Sequence, residues 1–247
     1  MNSKNIILLS LLFLFSCSTA PENGGSEAEI LHKEILSNYK AKRYLLTLEK
    51  ISNFRSKYPY SFYIIDVEVL RANIYFEQEN FLEAVDAYLS FKDFHPNYKK
   101  LDFIEWRISE SFFKQLPDTV DRDISPAYSA ISSYQALIRK YPDSEYISEA
   151  KKRIVDLEKM LENKEAYIAD FYFRTKDYQS ASYRYMKILK TSRDSDLLKK
   201  SANNLVISFI IQKRKKDCLS SIKEFSTFLD QDRSEKFRKQ CNKIIEG

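Results

Sequence analysis

A chain of 247 residues with 44% hydrophobic side chains can fill one or two domain cores. Its formal charge of +5, from 40 Lys and Arg against 35 Asp and Glu, is too small and too evenly spread to argue nucleic-acid binding. It has only three glycines, Gly24, Gly25 and Gly247. Phosphate-cradling loops need glycine where backbone meets ligand, and β-hairpins lean on it for turns, so most nucleotide-binding enzymes are excluded and an all-helical chain is expected.

The N-terminus reads as a targeting signal. Lys4 supplies a positive charge, Ile6 to Phe15 an apolar core, and Leu14-Phe15-Ser16-Cys17 follows. The run is too short to span a bilayer as a helix. Leu-x-Ser-Cys in this place resembles the bacterial lipobox. That resemblance implies that residues 1–16 are a signal peptide and that Cys17 carries the lipid, palmitate included. An ordinary signal peptide with a chance cysteine is the alternative. Ser18, rather than Asp, points to the outer membrane, with the chain facing the periplasm. Cleavage removes Lys4 and no acid, leaving 39 basic against 35 acidic residues. Residues 17–27 read as a flexible lipidated tether, at most about 30 Å long.

From Ala28 onward helical periodicity dominates, and one pattern returns five times. The copies start at Tyr44, Phe81, Ala127, Tyr178 and Cys218. A small residue follows three positions later: Thr47, Ala84, Ala130, Ala181 and Ser221. Ile51, Tyr88, Tyr134, Tyr185 and Phe225 stand at seven, and Phe54, Phe91, Leu137, Ile188 and Phe228 at ten. Pro59, Pro96 and Pro142 close the first three copies. This is the second-helix half of a tetratricopeptide repeat (TPR): the small residue lets two helices approach, and the proline ends the second. First-helix halves show at Ala72 and Tyr75, and at Ala169 and Tyr172. The copy starts lie 37, 46, 51 and 40 residues apart, against the 34 of a bare repeat.

The excess marks insertions. Leu116 to Asp123 reads as a polar loop. Between the third and fourth copies no helix breaker occurs, so Ser144 to about Thr175 is expected as one long helix. Residues 234–245 form a short basic helix that caps the stack. The expected fold is therefore all-α, a TPR-like solenoid of five helix pairs with a long central helix and a C-terminal capping helix. Residues 28–115 hold repeats one, two and the start of three. An insertion loop occupies 116–125, and 126–247 complete the array.

No catalytic constellation is legible. His32 and His95 lie far apart in the repeat scheme. No Cys or His pair has zinc-ligand spacing, and no nucleophile motif occurs. The carboxylates fall at helical spacings beside lysines, as on solvated faces. A binding scaffold without enzyme activity, cofactor or metal is expected. Cys218 and Cys241 are expected as buried free thiols: export permits oxidation, but their spacing does not set them directly opposite each other. Lys213-Arg214-Lys215-Lys216 reads as a basic turn, either solvated or in contact with acidic head groups or an acidic partner. Tyr58, Tyr60, Phe62 and Tyr63 crowd around Pro59, either for packing or as the wall of an apolar peptide groove.

A lipobox followed by five such repeats resembles the BamD family, lipoproteins of the outer-membrane β-barrel assembly machine. The resemblance is carried by Arg122-Asp123 ahead of the third repeat, by Tyr141-Pro142-Asp143-Ser144-Glu145-Tyr146 with Ala150 and Lys152-Arg153, and by Glu165, Ile168 to Tyr172, Tyr178 and Ala181 to Arg184. Tyr58-Pro59-Tyr60 and His95-Pro96-Asn97 add to it. It covers about residues 30–230 and is strongest over 121–190. It implies a scaffold that binds a BamA-like barrel protein, other Bam subunits and unfolded outer-membrane proteins, and that meets the membrane through its lipid. It implies Arg184 as a contact to BamA, with Tyr178 and Tyr172 as packing neighbours, and a substrate groove in the first three repeats near Tyr58, Tyr60, Phe62 and Tyr63. A different envelope lipoprotein built of the same repeats, scaffolding cell-wall or division machinery, is the alternative.

Overall fold

The structure, a computed structural model, describes residues 26–245. Among these it is all-helical: eleven α-helices and one 3₁₀ turn, with no strand. Residues up to Glu77 form one compact unit and those from Gln78 a second.

The first unit holds α1 (Glu27–Lys40), α2 (Tyr44–Lys57) and α3 (Ile64–Glu77). Ser26 starts α1 by accepting the Glu29 N–H on its side chain, which satisfies one of the orphan donors of a helix N-terminus. Ile35, Ile51, Phe54, Val67, Leu70 and Ile74 make the core. The Tyr39 and Tyr44 hydroxyls both donate to the Glu77 carboxylate, tying α3 back to the α1–α2 turn.

The second unit runs through α4 (Phe81–Phe94), α5 (Leu101–Lys114), α6 (Pro126–Lys140), α7 (Ile147–Arg174), α8 (Tyr178–Thr191), α9 (Ser195–Ile211), α10 (Lys215–Glu224) and α11 (Gln231–Asn242). Each helix packs on the next in sequence. That is the antiparallel stacking the small positions require: Ala84, Ala130 and Ala181 have no exposed surface. Tyr88, Tyr134 and Tyr185 fill the space one turn later. Buried phenols need partners, and carboxylates supply two of them. Tyr134 donates to Glu110, which also accepts from Arg153 at 3.2 Å. Tyr185 donates to Asp170 at 2.8 Å. Burial and these bonds push both phenols far above their usual range.

The prolines act as expected. Tyr58, His95 and Tyr141, each just before a proline, leave helical geometry with φ of −131°, −125° and −131°, ending α2, α4 and α6. The long helix is present as α7. It begins three residues after Ser144, which stands in the α6–α7 turn: its hydroxyl donates to Asp102 on α5 at 2.8 Å and accepts the Tyr146 N–H at 3.4 Å. The Asp121–Arg122 stretch of the insertion loop is pinned to α7: Lys164 donates to the Arg122 carbonyl at 2.8 Å and to the Asp121 carbonyl at 3.3 Å.

Two expectations are corrected. The first is the register of the fifth copy. In repeats one, two and four a left-handed residue (Lys42, Glu79, Lys176) stands one position before the helix cap. The small residue then donates its N–H to the cap carbonyl: Thr47 to Arg43, Ala84 to Asn80 and Ala181 to Asp177. The fifth copy repeats this with Lys213 left-handed and Cys218 donating to Arg214. The copy therefore starts at Lys215, with Cys218, Ile222 and Phe225 in the core positions, and lies 37 residues after the fourth, as the second does after the first. Two small residues three apart, Cys218 and Ser221, made the pattern ambiguous by one turn. Only Lys213 and Arg214 of the basic run then lie in the turn; Lys215 and Lys216 open α10. The second correction concerns the thiols. Cys218 and Cys241 are joined in a disulfide, with Cα atoms 6.0 Å apart. Moving Cys218 into the small-residue position faces it towards α11, where Cys241 and Phe237 are that helix's buried residues.

Candidate functional site

The end of α7 and the first two turns of α8 enclose a shallow hollow lined by Tyr172, Gln179, Ser180, Tyr183 and Arg184. The α7–α8 turn fixes the start of α8. Lys176 takes φ of 65°, and Asp177 caps α8 by accepting the Ser180 N–H. Tyr183 projects with 72% of its surface exposed. Arg184 lies beside it, anchored from below. Its Nη1 donates to both oxygens of Glu165 on α7, at 3.0 and 3.3 Å, and Lys187 reaches the same carboxylate at 2.6 Å. Burial pushes Glu165 up, but the hydrogen bonds from Lys187 and Arg184 outweigh it and hold the carboxyl below its usual range. The guanidinium is thus oriented, with two cations sharing one anion. The site can offer an aromatic face and net positive charge to an acidic group, the combination that concentrates binding energy at protein interfaces.

Of the three residues expected here, Tyr172 and Arg184 come together. Tyr178 does not line the hollow: its ring packs edge-on against Phe173 at 5.5 Å, and its carbonyl accepts from Gln212 at 2.8 Å. Sequence reasoning missed Tyr183 as a lining residue and Glu165 as the anchor. Neither spacing nor charge pattern announces a pair 19 residues apart on two helices.

The four aromatic residues near Pro59 divide into two pairs. Tyr58 packs against the core of the first unit and donates to Glu27 at 2.8 Å, while Tyr63 stacks on His32 at 4.5 Å. Tyr60 and Phe62 project from the α2–α3 loop, 99% and 89% exposed. Cys17 lies outside the described residues. Among the described residues no helix is long and apolar enough to cross a membrane, and no group of acidic, His or Cys side chains could hold a metal ion.

Residues 25–228 match the family model YfiO, described as outer membrane lipoprotein. The chain belongs to this family. The matched span runs from the first unit into the second and stops short of α11, so the disulfide joins a residue inside it to one outside. Among family relatives, the outer membrane protein assembly factor BamD of Vibrio cholerae is 26% identical over 204 residues, 78% of this chain and 85% of that one. The BamD of Buchnera aphidicola is 25% identical over 218 residues, 81% and 88% of the two chains. That of Neisseria meningitidis serogroup A is 22% identical over 190 residues, 73% and 71%. Solved TPR structures are also similar to it. The TPR2AB-domain–pHSP90 complex of yeast Sti1 has a TM-score of 0.47 at 15% identity, covering 89% of this chain and 84% of that one. A TPR repeats protein of Bacteroides fragilis has a TM-score of 0.39 at 12% identity, covering 90% and 100%.

Proposed function

We propose that this chain is a BamD-like scaffold of outer-membrane β-barrel assembly. It is held to the outer membrane by lipid on Cys17, faces the periplasm, and binds a BamA-like barrel protein and unfolded barrel-protein clients. Its role is attachment and positioning, not catalysis. The family match and the assembly-factor names of its relatives support the general role. The observation that carries the partner contact is the hollow of Tyr172, Tyr183 and Arg184, whose guanidinium is fixed by Glu165 and sits beside an exposed ring. A carboxylate on the partner would meet an oriented donor whose side-chain entropy is already spent. Client binding rests on the relatives' role as outer membrane protein assembly factors.

The test is purification of the lipidated chain from detergent-solubilised envelopes, with its co-purifying proteins identified by mass spectrometry. A BamA-like barrel protein, recovered in near-stoichiometric amount, is the expected result. Recovery of cell-wall or division proteins in its place would overturn the proposal. Replacing Cys17 with Ala tests the anchor separately: the variant should leave the membrane fraction, and any residue held there by Lys213 to Lys216 should be released by salt.

A further inference from the structure

The start of α1 and the two most exposed aromatic residues of the first unit lie at the same end of that unit. The described chain begins at Ser26, and Glu27 opens α1. Glu27 accepts a hydrogen bond from the Tyr58 hydroxyl at 2.8 Å, at the base of the α2–α3 loop. One turn further along α1, His32 stacks on Tyr63, at the other end of that loop. The loop is therefore fastened at both ends to the first two turns of α1. Between the fastenings stand Tyr60 and Phe62, 99% and 89% exposed. Ile30, in the same stretch of α1, is also exposed, as is Lys57, one residue before Tyr58.

We infer that the Tyr60–Phe62 loop tip is a membrane-surface contact, seated in the head-group region of the leaflet that holds the lipid on Cys17. This inference rests on the lipid attachment proposed above. Only nine residues separate Cys17 from Glu27, so the start of α1 stays within about 30 Å of the leaflet even at full extension. Tethering raises the effective concentration of lipid at this end of the unit, so a second contact forms even when its own affinity is weak. The chemistry suits the interface. Tyrosine presents an apolar ring and a hydroxyl that stays hydrated, phenylalanine enters the acyl boundary, and Lys57 can reach an acidic head group. A peptide groove suits these side chains less well. A groove gains its affinity from walls that enclose the ligand, whereas these two rings project almost fully into solvent and enclose nothing.

The test uses the full-length lipidated protein in vesicles of phosphatidylethanolamine and phosphatidylglycerol that contain lipids brominated near the head group. Trp106 is replaced by Phe so that one introduced indole reports alone. Phe62→Trp probes the tip. Leu45→Trp, exposed at the start of α2 and about 18 Å along the helix from its loop end, is the control. The expected result is a blue shift and a loss of emission for the indole at position 62, and neither at position 45. If the protein floats with the vesicles and the two positions behave alike, the tip contact is wrong while the anchor stands. Failure to float removes the anchor and the inference with it. Emission at position 62 that changes only when an unfolded barrel-strand peptide is added assigns the tip to a peptide and overturns the membrane contact.

Discussion

Removing the disulfide should loosen the C-terminal end of the second unit selectively. Cys218 and Cys241 are 23 residues apart, and cross-linking a loop of that size constrains the unfolded chain by about 3.4 kcal/mol. Against this, α11 contributes little else: its buried residues are Phe237 and Cys241, and burying one phenylalanine is worth about 1.5–3 kcal/mol. The Arg233–Asn203 bond at 3.0 Å is exposed and adds little. Cys218→Ala with Cys241→Ala keeps the small-residue position small, so the α9–α10 packing should survive. In a stacked array the loss falls first on the terminal element. Hydrogen exchange should show the amides of α11 losing protection while α5 to α8 keep theirs. If the unit melts as one, the midpoint should fall by about 7–14 °C, at about 2–4 °C per kcal/mol for a unit of this size. Reduction of the wild type with dithiothreitol should reproduce the effect. The reasoning fails if the folded, oxidised mature protein titrates two free thiols, or if α11 exchanges alike with and without reductant.

Glu165 carries a pH prediction. Its folded pKa is depressed, so its contribution to stability is present above the carboxylate's ordinary value and is lost as pH falls through the folded value. The stability difference between wild type and Glu165→Gln, read from urea midpoints, should therefore be largest near neutral pH and shrink on acidification through the carboxylate range; a pH-independent difference would contradict it. The four left-handed turn residues are all non-glycine, and a Cβ is unfavourable there. Lys176→Gly should raise the denaturant midpoint by up to about 1 kcal/mol of stability, and an unchanged or lowered midpoint would show that the turn is not strained.

The helical period, the small positions and the closing prolines were legible because each acts locally: a proline at fifteen ends its own helix whatever surrounds it. The absence of glycine between residues 26 and 246 was legible as all-helical for the same reason, yet the turns that glycine usually makes still occur, with Lys42, Glu79, Lys176 and Lys213 adopting the left-handed backbone. The fifth register was not legible, since no proline closes that copy and Cys218 and Ser221 satisfy the small position equally. The disulfide followed from that register and was hidden with it. At the candidate site, Arg184 could be picked out from a family motif, but its anchor Glu165 lies across a helix pair, and side-chain pairing between helices leaves no mark on local sequence. The aromatic cluster shows the same limit. Composition counts four rings near Pro59; only the fold separates Tyr58 and Tyr63, which pack, from Tyr60 and Phe62, which project.

The central claim is that the hollow on α7 and α8 docks an acidic group of a BamA-like partner through Arg184. Arg184→Glu removes the donor and sets a second carboxylate beside Glu165, so it should also lower the chain's own stability, by about 1 kcal/mol or more for this partly buried pair. Circular dichroism must therefore show the helices intact before binding is read. Charge pairs desolvated at an interface are coupled by about 1.5 kcal/mol or more, which corresponds to at least a tenfold loss of affinity. Co-purification of the BamA-like protein with Arg184→Glu should fall at least several-fold, and an acid-to-base change on the partner should restore it. Recovery at the wild-type level, across low and moderate salt, would contradict the account and leave the hollow without its proposed partner.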